Sequence, residues 1–119
     1  MKKKVIESYF RELKVTQMGL GGFGRALEEA KFLLKYGADL IITDSKNERE
    51  LEKEIKDIKE YGRKIGNIPK IYLGKQQKKD YFINRDLVLY PNGARLDNEF
   101  IRVALENRVM VTKSAALLF

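Results

Sequence analysis

The stretch Lys14-Val-Thr-Gln-Met-Gly-Leu-Gly-Gly-Phe-Gly-Arg-Ala26 decides how this chain folds. It opens as a short strand with Val-Thr-Gln-Met at its heart, stops at Gly19, and carries three glycines, Gly19, Gly21 and Gly24, at Gly-x-Gly-x-x-Gly spacing. A run with helical periodicity follows. In such a turn the first glycine allows the tight reversal, the second lets the backbone approach a phosphate, and the third lets the helix pack close to the sheet. The helix N-terminus then offers unpaired N–H groups and a partial positive charge to an anion. Placed between strand and helix, the motif predicts a nucleotide-type ligand at Gly19, Leu20, Gly21, Gly22, Phe23 and Gly24. A tight strand-to-helix turn that binds nothing is the alternative.

Outward from that turn, the pattern alternates. Residues 3–13 read as an amphipathic helix, with Val5, Ile6, Tyr9, Phe10 and Leu13 on one face. Phe23 to Tyr36 reads as a helix with Phe23, Leu27, Ala30 and Leu34 on one stripe and Gly37 as its C-cap. Ala38 to Thr43 contains Leu-Ile-Ile, the short apolar run of a buried parallel strand. Asn47 to Lys64 is a helix with Leu51, Ile55, Ile58 and Tyr61 inward. Pro69 to Leu73 is a strand, Lys75 to Asp80 a polar loop, and Asp86 to Tyr90 a strand. Asp97 to Asn107 is a helix using Phe100, Ile101, Ala104 and Leu105, and Val109 to Val111 is a last strand. Strands alternating with helices specify a parallel sheet covered on both faces, and right-handed crossovers leave few topologies. The expected fold is α/β: a Rossmann-like, doubly wound, five-stranded parallel sheet of order 3-2-1-4-5 in three α/β/α layers. Residues 1–13 form an N-terminal helical segment and residues 14–119 one domain. The apolar end, Ala115-Ala116-Leu117-Leu118-Phe119, reads as a junction into further chain.

Two more positions fall where a ligand would lie. Asp44 closes the second strand twenty residues after Gly24, where a carboxylate takes ribose hydroxyls in dinucleotide-binding domains; it fits NAD rather than NADP, with Lys46 nearby. It is equally a turn or cap residue in Thr43-Asp44-Ser45. Tyr90-Pro91-Asn92-Gly93 follows the fourth strand, at the point where strand order reverses. Asn92 can offer an amide to a sugar or phosphate there, or the segment is a simple turn.

Composition narrows the chemistry. The 119 residues contain no Cys, His or Trp, so disulfides, Cys- or His-ligated metal sites and Ser-His-Asp or Cys-His machinery are excluded. No phosphate-loop motif with its lysine is present, so no ATPase activity is expected. No pair of carboxylates is spaced for acid–base work. Hydrophobic residues make up 44% and charged residues 34%, the composition of a globular domain. The basic start, Met1-Lys2-Lys3-Lys4, is followed by no long apolar segment, so neither a signal peptide nor a membrane partner is expected and the location is read as cytoplasmic. The formal net charge is +7, and residues 56–85 hold nine bases against three acids. With no nucleic-acid motif among them, they read as a solvated Lys-rich surface, and no nucleic-acid partner is expected.

The stretch 14–26 resembles the first turn of the Mur ligases, and among them the D-glutamate-adding family. The likeness continues through Ala30 to Thr43-Asp44-Ser45-Lys46. It resumes at Ile71-Tyr-Leu-Gly-Lys75, Asp80-Tyr-Phe82, Asp86-Leu-Val-Leu89 and Phe100 to Val111, and so covers nearly all of residues 14–119. The resemblance implies a Rossmann-like module that holds the UDP part of UDP-N-acetylmuramoyl-L-alanine and does no chemistry alone. Gly19 to Gly24 would face the diphosphate, with Leu20 to Phe23 supplying N–H groups. Thr43, Asp44, Ser45 and Lys46 would flank the uridine, and Asn92 and Gly93 would approach the sugar. In that family the loop after the fourth strand reads Ser-Pro-Gly or Asn-Pro-Ala, unlike Tyr90-Pro91-Asn92-Gly93. No cofactor is implied for this chain; ATP and Mg would belong to a central domain and D-glutamate to a third, and the rest of the ligase would be the partner. Two other readings stand beside it. One is an NAD-binding domain of a redox or regulatory protein. The other is an interaction module that has lost its ligand.

Overall fold

A computed structural model describes residues 2–21, 24–91 and 93–114; Met1, Gly22, Phe23, Asn92 and the apolar end 115–119 lie outside the described residues. Five strands, β1 (Lys14–Met18), β2 (Asp39–Asp44), β3 (Lys70–Leu73), β4 (Leu87–Leu89) and β5 (Met110–Thr112), form one sheet. Every pairing is parallel and the order is β3-β2-β1-β4-β5, as the alternating pattern predicts. Among the described residues four α-helices accompany it: α1 (Lys2–Phe10), α2 (Arg25–Lys35), α3 (Glu52–Ile65) and α4 (Glu99–Glu106). Among the described residues no helix is long and apolar enough to cross a membrane.

The period-2 alternation of each strand splits the core between two faces. Val15, Leu40, Ile42, Leu87 and Leu89 pack with Ala30, Leu33 and Leu34 of α2 and Ile55 and Ile58 of α3. On the other face Val88 packs with Phe82, Ala104 and Val109, and Met18 and Phe100 adjoin them. Strand order reverses between β1 and β4, which is why α2 and α3 share one face and α4 takes the other.

The amino edge of the sheet is tied down by side chains. The Arg85 guanidinium donates to the carbonyls of Val15 (2.9 Å) and Asp39 (2.7 Å), and Asp86 accepts the Lys14 N–H at 2.8 Å. Burial lowers the Arg85 pKa from its ordinary value, and the Asp39 and Asp86 carboxylates oppose that. Arg85 therefore serves as a tie within the sheet rather than as part of a basic surface. Asn67 donates to the Leu34 and Ala38 carbonyls, tying the chain after α3 to the segment between α2 and β2.

Several boundaries differ from the expectation. Helix α1 ends at Phe10 rather than at residue 13; of its expected face Phe10 is fully buried, edge-on to Phe32, while Val5 and Tyr9 are exposed. Helix α2 begins at Arg25, after the glycines. Helix α3 starts at Glu52 rather than at Asn47, because Asn47 and Glu50 form a reciprocal pair, Glu50 N–H to Asn47 and Asn47 N–H to Glu50, that closes a separate turn. Helix α4 is capped by Asn98, which accepts from the Phe100 and Ile101 N–H groups, and Leu105 on it is exposed. The polar stretch before β4 folds into two short 3-10 turns, Gly74–Gln76 and Lys79–Phe82. The second of these seats Phe82 in the core, and an added aromatic stack, Tyr72 on Tyr81 at 3.9 Å, lies beside it.

Gly62 sets how closely α3 approaches the chain that follows it. A Cβ there would lie 2.7 Å from the Asn67 carbonyl oxygen and 3.1 Å from Ile68 Cα. Alanine favours a helix over glycine by about 1 kcal/mol, yet forcing backbone apart costs about 1–3 kcal/mol. Gly62→Ala should therefore lower the thermal midpoint by several degrees, roughly 4–8 °C per kcal/mol lost. A midpoint equal to or above wild type in a melting experiment would contradict this packing.

Candidate functional site

All loops that leave the carboxyl ends of the strands meet at one edge. At Met18 the chain turns through Gly19, whose φ of +97° is open to glycine and strained for other residues. The Gly19 N–H donates to the Thr43 carbonyl, continuing the β1–β2 ladder by one bond. Leu20 then turns its side chain into the core. Gly24, at φ +82°, precedes α2 and provides no side-chain cap, so the helix's first turn carries no such bond from it.

Asp44 braces this turn. Its Oδ2 accepts the Leu20 N–H at 2.9 Å and the Gly21 N–H at 3.4 Å, and its Oδ1 accepts the Lys46 N–H at 2.9 Å. A carboxylate accepts about four hydrogen bonds, and three are made within the protein. The Leu20 N–H, read from sequence as one that faces a phosphate, is directed at Asp44.

The neighbouring loops close around the turn. The Lys46 ammonium lies 3.5 Å from the place a Gly21 Cβ would occupy, and Leu51 Cδ2 lies 3.1 Å from it. A Cβ at residue 21 would press on Leu51 and come into contact with the Lys46 ammonium. The Pro91 ring lies 3.8 Å from the Cβ position of Gly19, and the Ser45 carbonyl 3.9 Å from that of Gly74. Thus the loops after β1, β2, β3 and β4 are in register around one mouth. Beneath it a cavity of about 1130 Å³ opens between the first turn of α2 and the ends of β4 and β5, lined by Gln17, Met18, Arg25, Tyr90, Pro91 and Lys113 among others. This is the crevice at the switch point of a doubly wound sheet, where ligands of such folds bind.

The residues named from sequence are therefore mostly brought together. Gly19, Leu20, Gly21 and Gly24 form the turn, while Thr43, Asp44, Ser45 and Lys46 form the adjoining strand end and loop. Thr43 is buried, and Ser45 and Lys46 are exposed. Gly93 is exposed in the loop after β4 with φ +84°. Gly22, Phe23 and Asn92 lie outside the described residues. Sequence reasoning missed Gln17, which is 3% exposed and donates from Nε2 to the carbonyls of Gly19 (3.0 Å) and Ala26 (2.8 Å). The available signal was a glutamine inside an otherwise buried strand. It also missed Arg25 and Lys113 at the cavity wall. No cluster of three or more metal-ligating side chains occurs among the described residues.

Fold and edge together define a Rossmann-like α/β domain with a glycine turn at its switch point. No family model matches the chain. It is 34% identical over 109 residues, 92% of its length, to the UDP-N-acetylmuramoylalanine–D-glutamate ligase of Borreliella afzelii (strain PKo), and equally to that of Borreliella burgdorferi (strain ZS7). The chain spans 23% of the length of each. These matches bear out the resemblance to a Mur ligase domain, and within the Mur ligases to the D-glutamate-adding family.

The Asp44 brace makes a prediction. Asp44→Ala removes the acceptor of three N–H groups, and leaving such donors unsatisfied costs about 1–3 kcal/mol. The urea midpoint should fall, and amide exchange at Leu20 and Lys46 should quicken before that of β1 and β2. An unchanged midpoint with unchanged exchange at Leu20 would show that the carboxylate does not hold the turn.

Proposed function

We propose that this chain is the uridine-nucleotide-binding domain of a D-glutamate-adding ligase, and that it holds the UDP part of UDP-N-acetylmuramoyl-L-alanine. The observation that carries the reading is the glycine turn at the carboxyl edge, with the Lys46 ammonium beside Gly21. Glycine leaves the backbone open to a diphosphate, the start of α2 adds a partial positive charge, and Lys46 adds a full one. The uridine lies toward Ser45 and Lys46, and the sugar toward the cavity and the loop holding Asn92 and Gly93.

The reaction of the parent enzyme is ATP-dependent amide formation through an acyl phosphate, in the cytoplasm. Its chemistry belongs to other domains, and this domain orients the substrate. The NAD reading rested on Asp44 as a ribose acceptor. In this chain that carboxylate is engaged with the Leu20, Gly21 and Lys46 N–H groups, which favours the uridine reading.

Calorimetry with the 119-residue chain tests this. UDP and UDP-N-acetylmuramoyl-L-alanine should bind more tightly than NADH. Lys46→Met should weaken UDP roughly three- to tenfold, about 0.7–1.4 kcal/mol, and reduce the dependence of binding on salt. Tight NADH binding with no response to either uridine ligand would overturn the proposal.

A further inference from the structure

Gln17 is a polar residue placed where the fold asks for an apolar one. It sits on β1 between Ile42 of β2 and Leu89 of β4 in register, on the face covered by α2, and it is almost wholly buried. Its carboxamide has one orientation compatible with its neighbours. Both partners, the Gly19 and Ala26 carbonyls, are acceptors, so the NH₂ group must face them. Oε1 then has no hydrogen-bond partner among the described residues. A methionine would fill similar space without burying the unpartnered Oε1, at the loss of the donor to the Gly19 and Ala26 carbonyls, so core packing alone does not account for glutamine here.

What the glutamine does supply is a staple. Gly19 begins the glycine turn, and Ala26 lies in the first turn of α2. One NH₂ group joins the two ends of the eight-residue segment, Gly19 to Ala26, that leads from strand to helix, while Asp44 holds Leu20 and Gly21 from the neighbouring strand. Backbone N–H groups bind an anion well only if they already point at it, because ordering them on binding subtracts from affinity.

We propose that Gln17 is a positioning residue for anion binding: by fixing the Gly19 and Ala26 carbonyls it presets the glycine turn and the start of α2 for a diphosphate. The inference rests on the reading that this turn receives the diphosphate.

The test is an NMR titration of the 119-residue chain with inorganic pyrophosphate, and with UDP in parallel, for wild type and Gln17→Met. In wild type the Gly21 and Gly24 amides should shift on addition of pyrophosphate. Gln17→Met should melt within a few degrees of wild type and bind pyrophosphate about tenfold more weakly. A purely structural residue would give the reverse, a lowered melting point with unchanged affinity of the folded protein, and that result overturns the inference. If Gln17→Met does not fold, the wild-type Gln17 side-chain NH₂ signals decide. They must shift as pyrophosphate saturates the turn, and unmoved signals overturn the inference. If UDP binds while the turn amides stay unmoved, the staple inference falls together with the placement of the diphosphate on the turn, and only uridine-nucleotide binding as such survives. If neither UDP nor pyrophosphate binds, both fall.

Discussion

Two parallel strands cannot be joined by a tight turn. The chain must leave the carboxyl end of one strand, cross a face of the sheet and return to the amino end of the next, with right-handed sense. In this protein that constraint gathers every strand-to-helix connection at a single edge and ties the opposite edge with Arg85, Asp86 and Asn67. Because β1 is central, α2 and α4 leave it and β4 on opposite faces, and a crevice opens between them. The glycine turn falls in that crevice because β1 is the strand that precedes it.

The turn itself is held by its surroundings more than by its own sequence. Glycines allow the conformation, but the Thr43 carbonyl, the Asp44 carboxylate and the Gln17 carboxamide select it. Leu20 and Leu51 anchor it to the core, and Lys46 supplies charge at its outer side. The same bonds also explain why Asp44 is poorly suited to an incoming ribose: its oxygens already face N–H groups.

The sheet was legible in the sequence because its signals are local and repeated. Leu-Ile-Ile and Leu-Val-Leu runs between helical stripes admit few other arrangements, and strand order followed from the crossover rule. Boundaries were less legible where tertiary contacts overrule a pattern. Val5, Tyr9 and Leu105 keep helical spacing yet stay exposed. Asn47, read as the start of the second long helix, instead pairs with Glu50 in a turn of its own before α3. At the site, the glycines, Asp44 and Lys46 were legible as members of one edge. The direction of the Asp44 carboxylate was not, since a strand-end acid can face a ligand or a neighbouring backbone with the same spacing. Gln17 left one signal, a glutamine inside a strand read as buried, but its partners, the Gly19 and Ala26 carbonyls, come together only in the fold.

The central claim is that a uridine diphosphate group sits on the turn between β1 and α2. The most direct measurement is a crystal structure of the 119-residue chain with UDP-N-acetylmuramoyl-L-alanine. The account predicts diphosphate oxygens within hydrogen-bond distance of backbone N–H groups in residues 21–25, with the Lys46 ammonium beside them and the uracil over Ser45. A diphosphate bound away from residues 19–25, or a ligand seated at the amino edge near Arg85, would contradict it.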